Sequence, residues 1–169
     1  MIVKKRTIPI KILILEALLR RLPKNHAKRP QIMEELSRRW SGYMGEKSLD
    51  FYLRNLDEKN YLILHDLNLP DGKYNCQIDT LLLTPKFALI IEVKNMTGKL
   101  VFDTDNDQFF QINDGKEIGY TDPIAQAKRH QAYLKKLFPT LPIDYLIVST
   151  NPHSILSFTG GNTKIREKV

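Results

Sequence analysis

The chain has 169 residues, ordinary hydrophobic and charged shares, and a single cysteine, Cys76. That is enough for one domain with its own core, or one domain with an extension, and it excludes a disordered or collagen-like chain, an intramolecular disulfide framework and a cysteine-only zinc site. A formal charge of +7 attracts polyanions, chiefly nucleic acid or anionic lipid, although it also serves plain solubility.

Lys4, Lys5 and Arg6 precede an apolar stretch from Ile8 to Leu22, as the charged start of a signal peptide would. Lys11, Glu16 and Pro9 interrupt that stretch, and Arg20, Arg21 and Lys24 follow it in place of a small-residue cleavage site. The run is shorter than the ~18 apolar residues of a membrane span. The pattern predicts an amphipathic helix, packed on the domain or a partner or docked on a membrane surface, and no transmembrane segment. The lone cysteine suits a reducing compartment, so the expected location is cytoplasmic. Residues 1–42 form a basic helical extension in this reading, with a linker from Pro23 to Pro30. Its Arg20, Arg21, Lys24, Lys28, Arg29, Arg38 and Arg39 are candidate phosphate contacts.

A folded domain is expected over residues 43–150. Leu49, Leu53 and Leu56 fall at helical spacing, with Glu46 in the first turn and a stop at Asn60. Tyr61–Leu64 reads as a short strand, and Pro70-Asp71-Gly72 as a turn. Cys76–Leu83 and Phe87–Val93 are apolar on both faces and too short for ordinary helices. Thr84-Pro85-Lys86 separates them, which predicts an antiparallel hairpin of central strands. Gly98–Phe102 and Gln108–Ile112 predict a second, more exposed hairpin, with Asn106 and Asp107 in its turn. Asp122-Pro123 starts a helix, with Asp as cap and Pro at the first position. It runs to about Phe138, burying Tyr133, Leu134, Leu137 and Phe138. Asp144–Ser149 is a last apolar strand, and residues 151–169 read as a polar tail whose Arg166-Glu167-Lys168-Val169 resembles an unfinished helix. The order of elements predicts an α/β fold with a central mixed sheet flanked by helices.

The first hairpin carries the chemistry. A turn centred between Pro85 and Lys86 sets Leu83 opposite Ala88, Leu81 opposite Ile90, Asp79 opposite Glu92 and Gln77 opposite Lys94. Alternation then places Asp79, Glu92 and Lys94 on one face. Two carboxylates that meet on an apolar sheet repel each other and resist ionisation. A divalent cation resolves that conflict, and hard oxygen ligands suit Mg²⁺ or Mn²⁺. Lys94 is then placed to orient or activate an attacking water beside the phosphate. The competing reading is a buried ion cluster with no ligand, or a bulge that parts the two acids.

Gln77-Ile78-Asp79, then Ile91-Glu92-Val93-Lys94-Asn95 with Gly98 following, resembles the NERD (nuclease-related) domain of the PD-(D/E)XK nuclease superfamily. Gly45-Glu46 upstream and Asp122-Pro123-Ile124-Ala125-Gln126 downstream also match, so the resemblance covers roughly residues 43–150. Ile78 stands where the superfamily's name has proline. The resemblance implies a restriction-endonuclease-like core and metal-dependent hydrolysis of DNA. It implies that Asp79, Glu92 and the Val93 carbonyl hold the metal and that Lys94 serves the water and the phosphate. Glu46 would complete or support the acidic cluster, or else merely favour the helix dipole. Gln126 would approach the site from above, or else be an exposed helix residue.

His26, His65, His130 and His153 show no metal-ligand spacing and read as surface or packing residues, although His130 shares a helical face with Gln126. Cys76 reads as packed, Trp40, Tyr43 and Tyr52 as core, and Gly160-Gly161 lacks the ending of a phosphate-binding loop. The leading function is a Mg²⁺- or Mn²⁺-dependent nuclease, possible as a homodimer. The alternatives are a non-cleaving nucleic-acid-binding module with the same fold, and a membrane-surface or partner-docking protein led by the N-terminal helix.

Overall fold

The computed structural model describes residues 1–71 and 74–160. In chain order they form β1 (Ile2–Lys4), α1 (Ile10–Arg21), α2 (Arg29–Leu53), β2 (Leu62–Asp71), β3 (Tyr74–Leu83) and β4 (Ala88–Lys94). There follow β5 (Gly98–Asp103), β6 (Gln108–Asn113), β7 (Lys116–Tyr120), α3 (Pro123–Leu137), β8 (Ile143–Ser149) and β9 (Ser154–Thr159). The fold is α/β with two mixed sheets flanked by helices, ordered β1-β2-β3-β4-β8 and β7-β6-β5-β9.

The five-stranded sheet is covered on both faces, as its apolar strands require. On one face Ile78, Leu81, Ala88 and Ile90 pack with Leu134 of α3. On the other, Leu82, Ile91 and Val93 pack with Leu49 and Leu53 of α2. Strand β4 pairs antiparallel with β3 and parallel with β8, so the sheet is mixed at its centre.

The N-terminal half departs from expectation. Helix α2 is continuous for 25 residues and runs through positions 42 and 43. Glu46 therefore lies in its second half rather than in a first turn, and dipole stabilisation cannot explain it. The linker spans residues 22–28, close to the expected place, and Arg29, expected to meet phosphate, instead donates to the carbonyls of Leu19 and Leu22 at 2.7 and 3.0 Å. Those are terminal carbonyls of α1, which a basic side chain satisfies well.

Strand β2 is ten residues long, because it pairs with β3 along its length. The turn expected at Pro70-Asp71-Gly72 reaches outside the described residues. Strand β5 is more buried than expected, with Leu100, Val101 and Phe102 in the core. Three strands go beyond the sequence pattern: β1, which pairs parallel with β2 in the span expected to be helical, β7 and β9. All of β7 is exposed and is held by its backbone pairing with β6. Strand β9 lies in the span that reads as a polar tail, pairs parallel with β5, and stacks Phe158 on Phe102 at 5.0 Å between ring centroids. The helix expected at Arg166–Val169 lies outside the described residues.

Helix α3 begins as its sequence predicts. Asp122 caps it by accepting from the N–H groups of Ile124 and Ala125. Its buried stripe is Ala127, His130 and Leu134, after Pro123. Leu137 and Phe138 are exposed instead.

Candidate active site

Asp79 lies where the alternation of β3 slips. Leu81 and Ile78 both join the α3-side core, and so do Leu64 and Leu67 of β2. Between them, Asp66 and Asp79 are absent from the β2–β3 ladder pairs, and Asp66 has φ +49°. The β3–β4 ladder holds the expected pairs Leu83–Ala88 and Leu81–Ile90 but ends at Thr80–Ile91. Asp79 therefore does not face Glu92 across a ladder, nor Gln77 Lys94. The strands splay, and the Asp79 side chain bridges the gap by accepting from the Val93 N–H at 2.9 Å.

The splay still leaves the acids close enough to sense each other. Burial first, and the Glu92 charge second, push the Asp79 carboxyl up to about 6. Glu92 is 2% exposed. Its Oε1 accepts from Lys94 Nζ at 2.9 Å, while its buried Oε2 has no hydrogen-bond partner. A buried carboxylate oxygen without a partner is costly. The expected face-sharing of Glu92 and Lys94 thus holds.

Glu46 comes to this centre from the other face of the sheet. Gly45 makes the approach possible: a Cβ there would overlap Asn95 Cβ and crowd Thr150. Asn95 in turn donates to the Ser41 carbonyl at 2.8 Å, locking the end of β4 to α2. Burial, then the Asp79 charge, raise the Glu46 carboxyl to about 7, against the lowering effect of Arg6. Gly98, the other glycine of the motif, has φ +75°, a conformation that side chains disfavour, and it turns the chain from β4 into β5.

Several residues of this centre carry no signal in the sequence pattern. Arg6, which reads as part of a charged leader, is inserted here with its side chain 3% exposed. It pairs with Glu46 and with Asp50, the latter at 3.3 Å. It also lies 3.0 Å from both His65 Nδ1 and Thr80 Oγ1. No sequence spacing reports this contact, because 40 residues separate Arg6 from Glu46. His65 is fully buried, as a packing residue would be, and burial lowers its pKa against the pull of Asp50. His130 is buried on α3; burial lowers its pKa, and the Asp79 charge opposes that shift. Gln126, one turn earlier, is half-buried. A cavity of about 560 Å³ opens beside Lys94, bounded by Phe102, Asp122, Lys128, Ser149 and Phe158.

The basic candidates lie elsewhere. Arg20, Arg21, Lys24 and Lys28 are exposed on α1 and the turn after it. Arg38 and Arg39 pair with Glu35 on the first half of α2.

Among the described residues, no three His, Cys, Asp or Glu side chains converge as they stand to hold a metal ion. Asp79 and Glu92 offer oxygen donors, one of them unpartnered, and the Asp79 carboxylate lies against the Val93 backbone. That donor set suits a hard divalent cation that keeps several waters. No described helix is long and apolar enough to cross a membrane.

Comparison with protein families gives a match to the nuclease-related domain over residues 41–150. No curated protein matches, and no solved structure matches. The matched span holds Glu46, Asp79, Glu92, Lys94 and Gln126 and leaves out Arg6.

Proposed function

Because the chain belongs to the nuclease-related domain family, we propose that it is a metal-dependent nuclease that hydrolyses phosphodiester bonds in DNA. The observation that carries this reading is Glu92: a buried carboxylate with one oxygen on Lys94 and the other unpartnered, beside a second acid.

Asp79, Glu92 and the Val93 carbonyl would hold Mg²⁺ or Mn²⁺. Such an ion offsets charge on the attacked phosphate and makes water a better nucleophile. The chain's own residues do the rest. Burial keeps Asp79 and Glu92 in an environment where charges act strongly. The Val93 N–H fixes the Asp79 carboxylate. Lys94, partly exposed beside Glu92, orients the attacking water and meets the negative charge that builds on phosphorus. The water oxygen bonds to phosphorus and gives up a proton to solvent, the ester P–O bond breaks, and the departing oxygen takes a proton from solvent and leaves as a hydroxyl. Glu46 supports the cluster through Arg6, and Gln126, one turn before His130 on α3, would approach it from above. The exposed basic residues of α1 supply attraction to the phosphate backbone.

Incubation with plasmid, linear and single-stranded DNA and with RNA, in Mg²⁺, Mn²⁺ or EDTA, tests the reading. Cleavage that needs the metal and fails in Lys94→Ala is the expected result. Metal-independent binding with no cleavage of any substrate would replace it with a non-cutting binding module.

A further inference from the structure

We propose that Arg6 is a built-in counter-cation of the site, standing where a second divalent ion would otherwise bind, so that the centre takes a single ion at Asp79 and Glu92. The inference rests on the metal-dependent reading above and concerns a residue outside the family-matched span.

The guanidinium is held on every side. One terminal nitrogen pairs with Glu46 and reaches the Asp79 carbonyl at 3.4 Å. The other meets Asp50, Thr80 and His65, and Nε meets Asp50 again at 3.4 Å. Strand β1 delivers it by pairing parallel with β2, and Lys4 Nζ secures that strand on the His65 carbonyl at 2.8 Å. A planar fork with several donors is suited to bridging two carboxylates.

Charge then sets the capacity for metal. Glu46, Asp50, Asp79 and Glu92 are four carboxylates, and Arg6 and Lys94 are the cations paired with them. With all four ionised, the deficit of two charges equals one divalent ion. Both oxygens of Asp50 and Oε2 of Glu46 lie on Arg6, which leaves Asp79 and the unpartnered Glu92 oxygen for the metal. If Arg6 loses its charge, Glu46, Asp50 and the Asp79 carbonyl become a second oxygen-rich site of the kind that hard cations favour.

Calorimetric titration with Mn²⁺ alone tests this on the full chain, as wild type, Arg6→Gln and Arg6→Lys, with melts in each condition. Wild type and Arg6→Lys are expected to bind one Mn²⁺. Arg6→Gln is expected to bind two, or to bind one at least about tenfold more tightly, because a neighbouring positive charge is gone. If Arg6→Gln unfolds without metal, saturating Mn²⁺ is expected to restore it. An Arg6→Gln protein with wild-type stoichiometry and affinity, or one that stays unfolded in saturating Mn²⁺, overturns the proposal and leaves the nuclease reading standing. Binding to Arg6→Gln but not to wild type keeps Arg6 as counter-cation and refutes the metal dependence of the native chain. Binding to neither removes both.

Discussion

Asp79 Oδ2 accepts the backbone N–H of Val93 at 2.9 Å, so a side chain of β3 takes the place of a ladder partner where the two strands part. That bond sets the Asp79 carboxylate against the strand that carries Glu92 and Lys94. It joins two acids that ladder pairing would otherwise have to bring together.

Asp79→Asn is expected to fold, because an amide oxygen can still accept from Val93, and to lose most of its Mn²⁺ affinity, because an anionic ligand is gone. Calorimetric titration beside wild type checks both points. Equal affinity in the two proteins would remove Asp79 from the ligand set.

Lys94→Ala separates a catalytic lysine from a structural one. Loss of one preorganised electrostatic partner costs on the order of 10²–10³ in rate. Metal affinity should hold or rise, since a cation near the metal repels it. A lysine that only balances Glu92 predicts the opposite pattern: cleavage at the wild-type rate and a stability lowered by about 3–5 kcal/mol, the cost of orphaning a buried charge. Melts with and without Mn²⁺, run beside the cleavage assay, decide between them.

Glu46 gives a pH signature in the metal-free protein. Its carboxyl is raised from 4.5 to about 7, so between those values the folded state holds more protons than the unfolded one. Stability from this group therefore grows as pH falls through about 7, and is lost above it. Glu46→Gln fixes the neutral form. Its melting temperature should exceed that of wild type at about pH 8, with the gap closing near pH 5, for at most ~3 kcal/mol. Comparing the two proteins cancels the histidines, whose lowered values act in the opposite direction. A gap that does not change with pH contradicts the raised carboxyl.

Gly45→Ala tests how α2 reaches the site. The new methyl would overlap Asn95 and crowd Thr150, and overpacking of this kind costs about 1–3 kcal/mol. Both a lower melt and a loss of activity are expected. A variant as stable and active as wild type would show that the neighbouring side chains give way freely.

The nucleic-acid role of the basic segment is testable only by neutralising charges, since deleting the segment would remove Arg6. Arg20, Arg21, Lys24 and Lys28 changed together to Gln should weaken DNA binding and flatten its salt dependence, by up to about 0.9 in slope for each phosphate no longer neutralised. Arg29 is left alone because it caps α1. An unchanged salt slope means that these charges are only solvated.

Local sequence determined what depends on near neighbours. The hairpin of β3 and β4, the Asp122 cap of α3, the last core strand and the face shared by Glu92 and Lys94 all follow from alternation, turn residues and capping chemistry within a short window. Tertiary structure decided what depends on partners far along the chain. Strand β7 has no buried face to announce it, so only pairing with β6 makes it a strand. Strand β9 reads as polar until Phe158 meets Phe102. Asp79 owes its position to a slip shared with β2, which the spacing of β3 and β4 alone does not contain. Arg6 is the clearest case. Next to Lys4 and Lys5 it reads as part of a charged leader, and it becomes buried only because two acids on α2 and two strands of the sheet enclose it. A charge can be buried where its partners converge, and that convergence is a property of the fold.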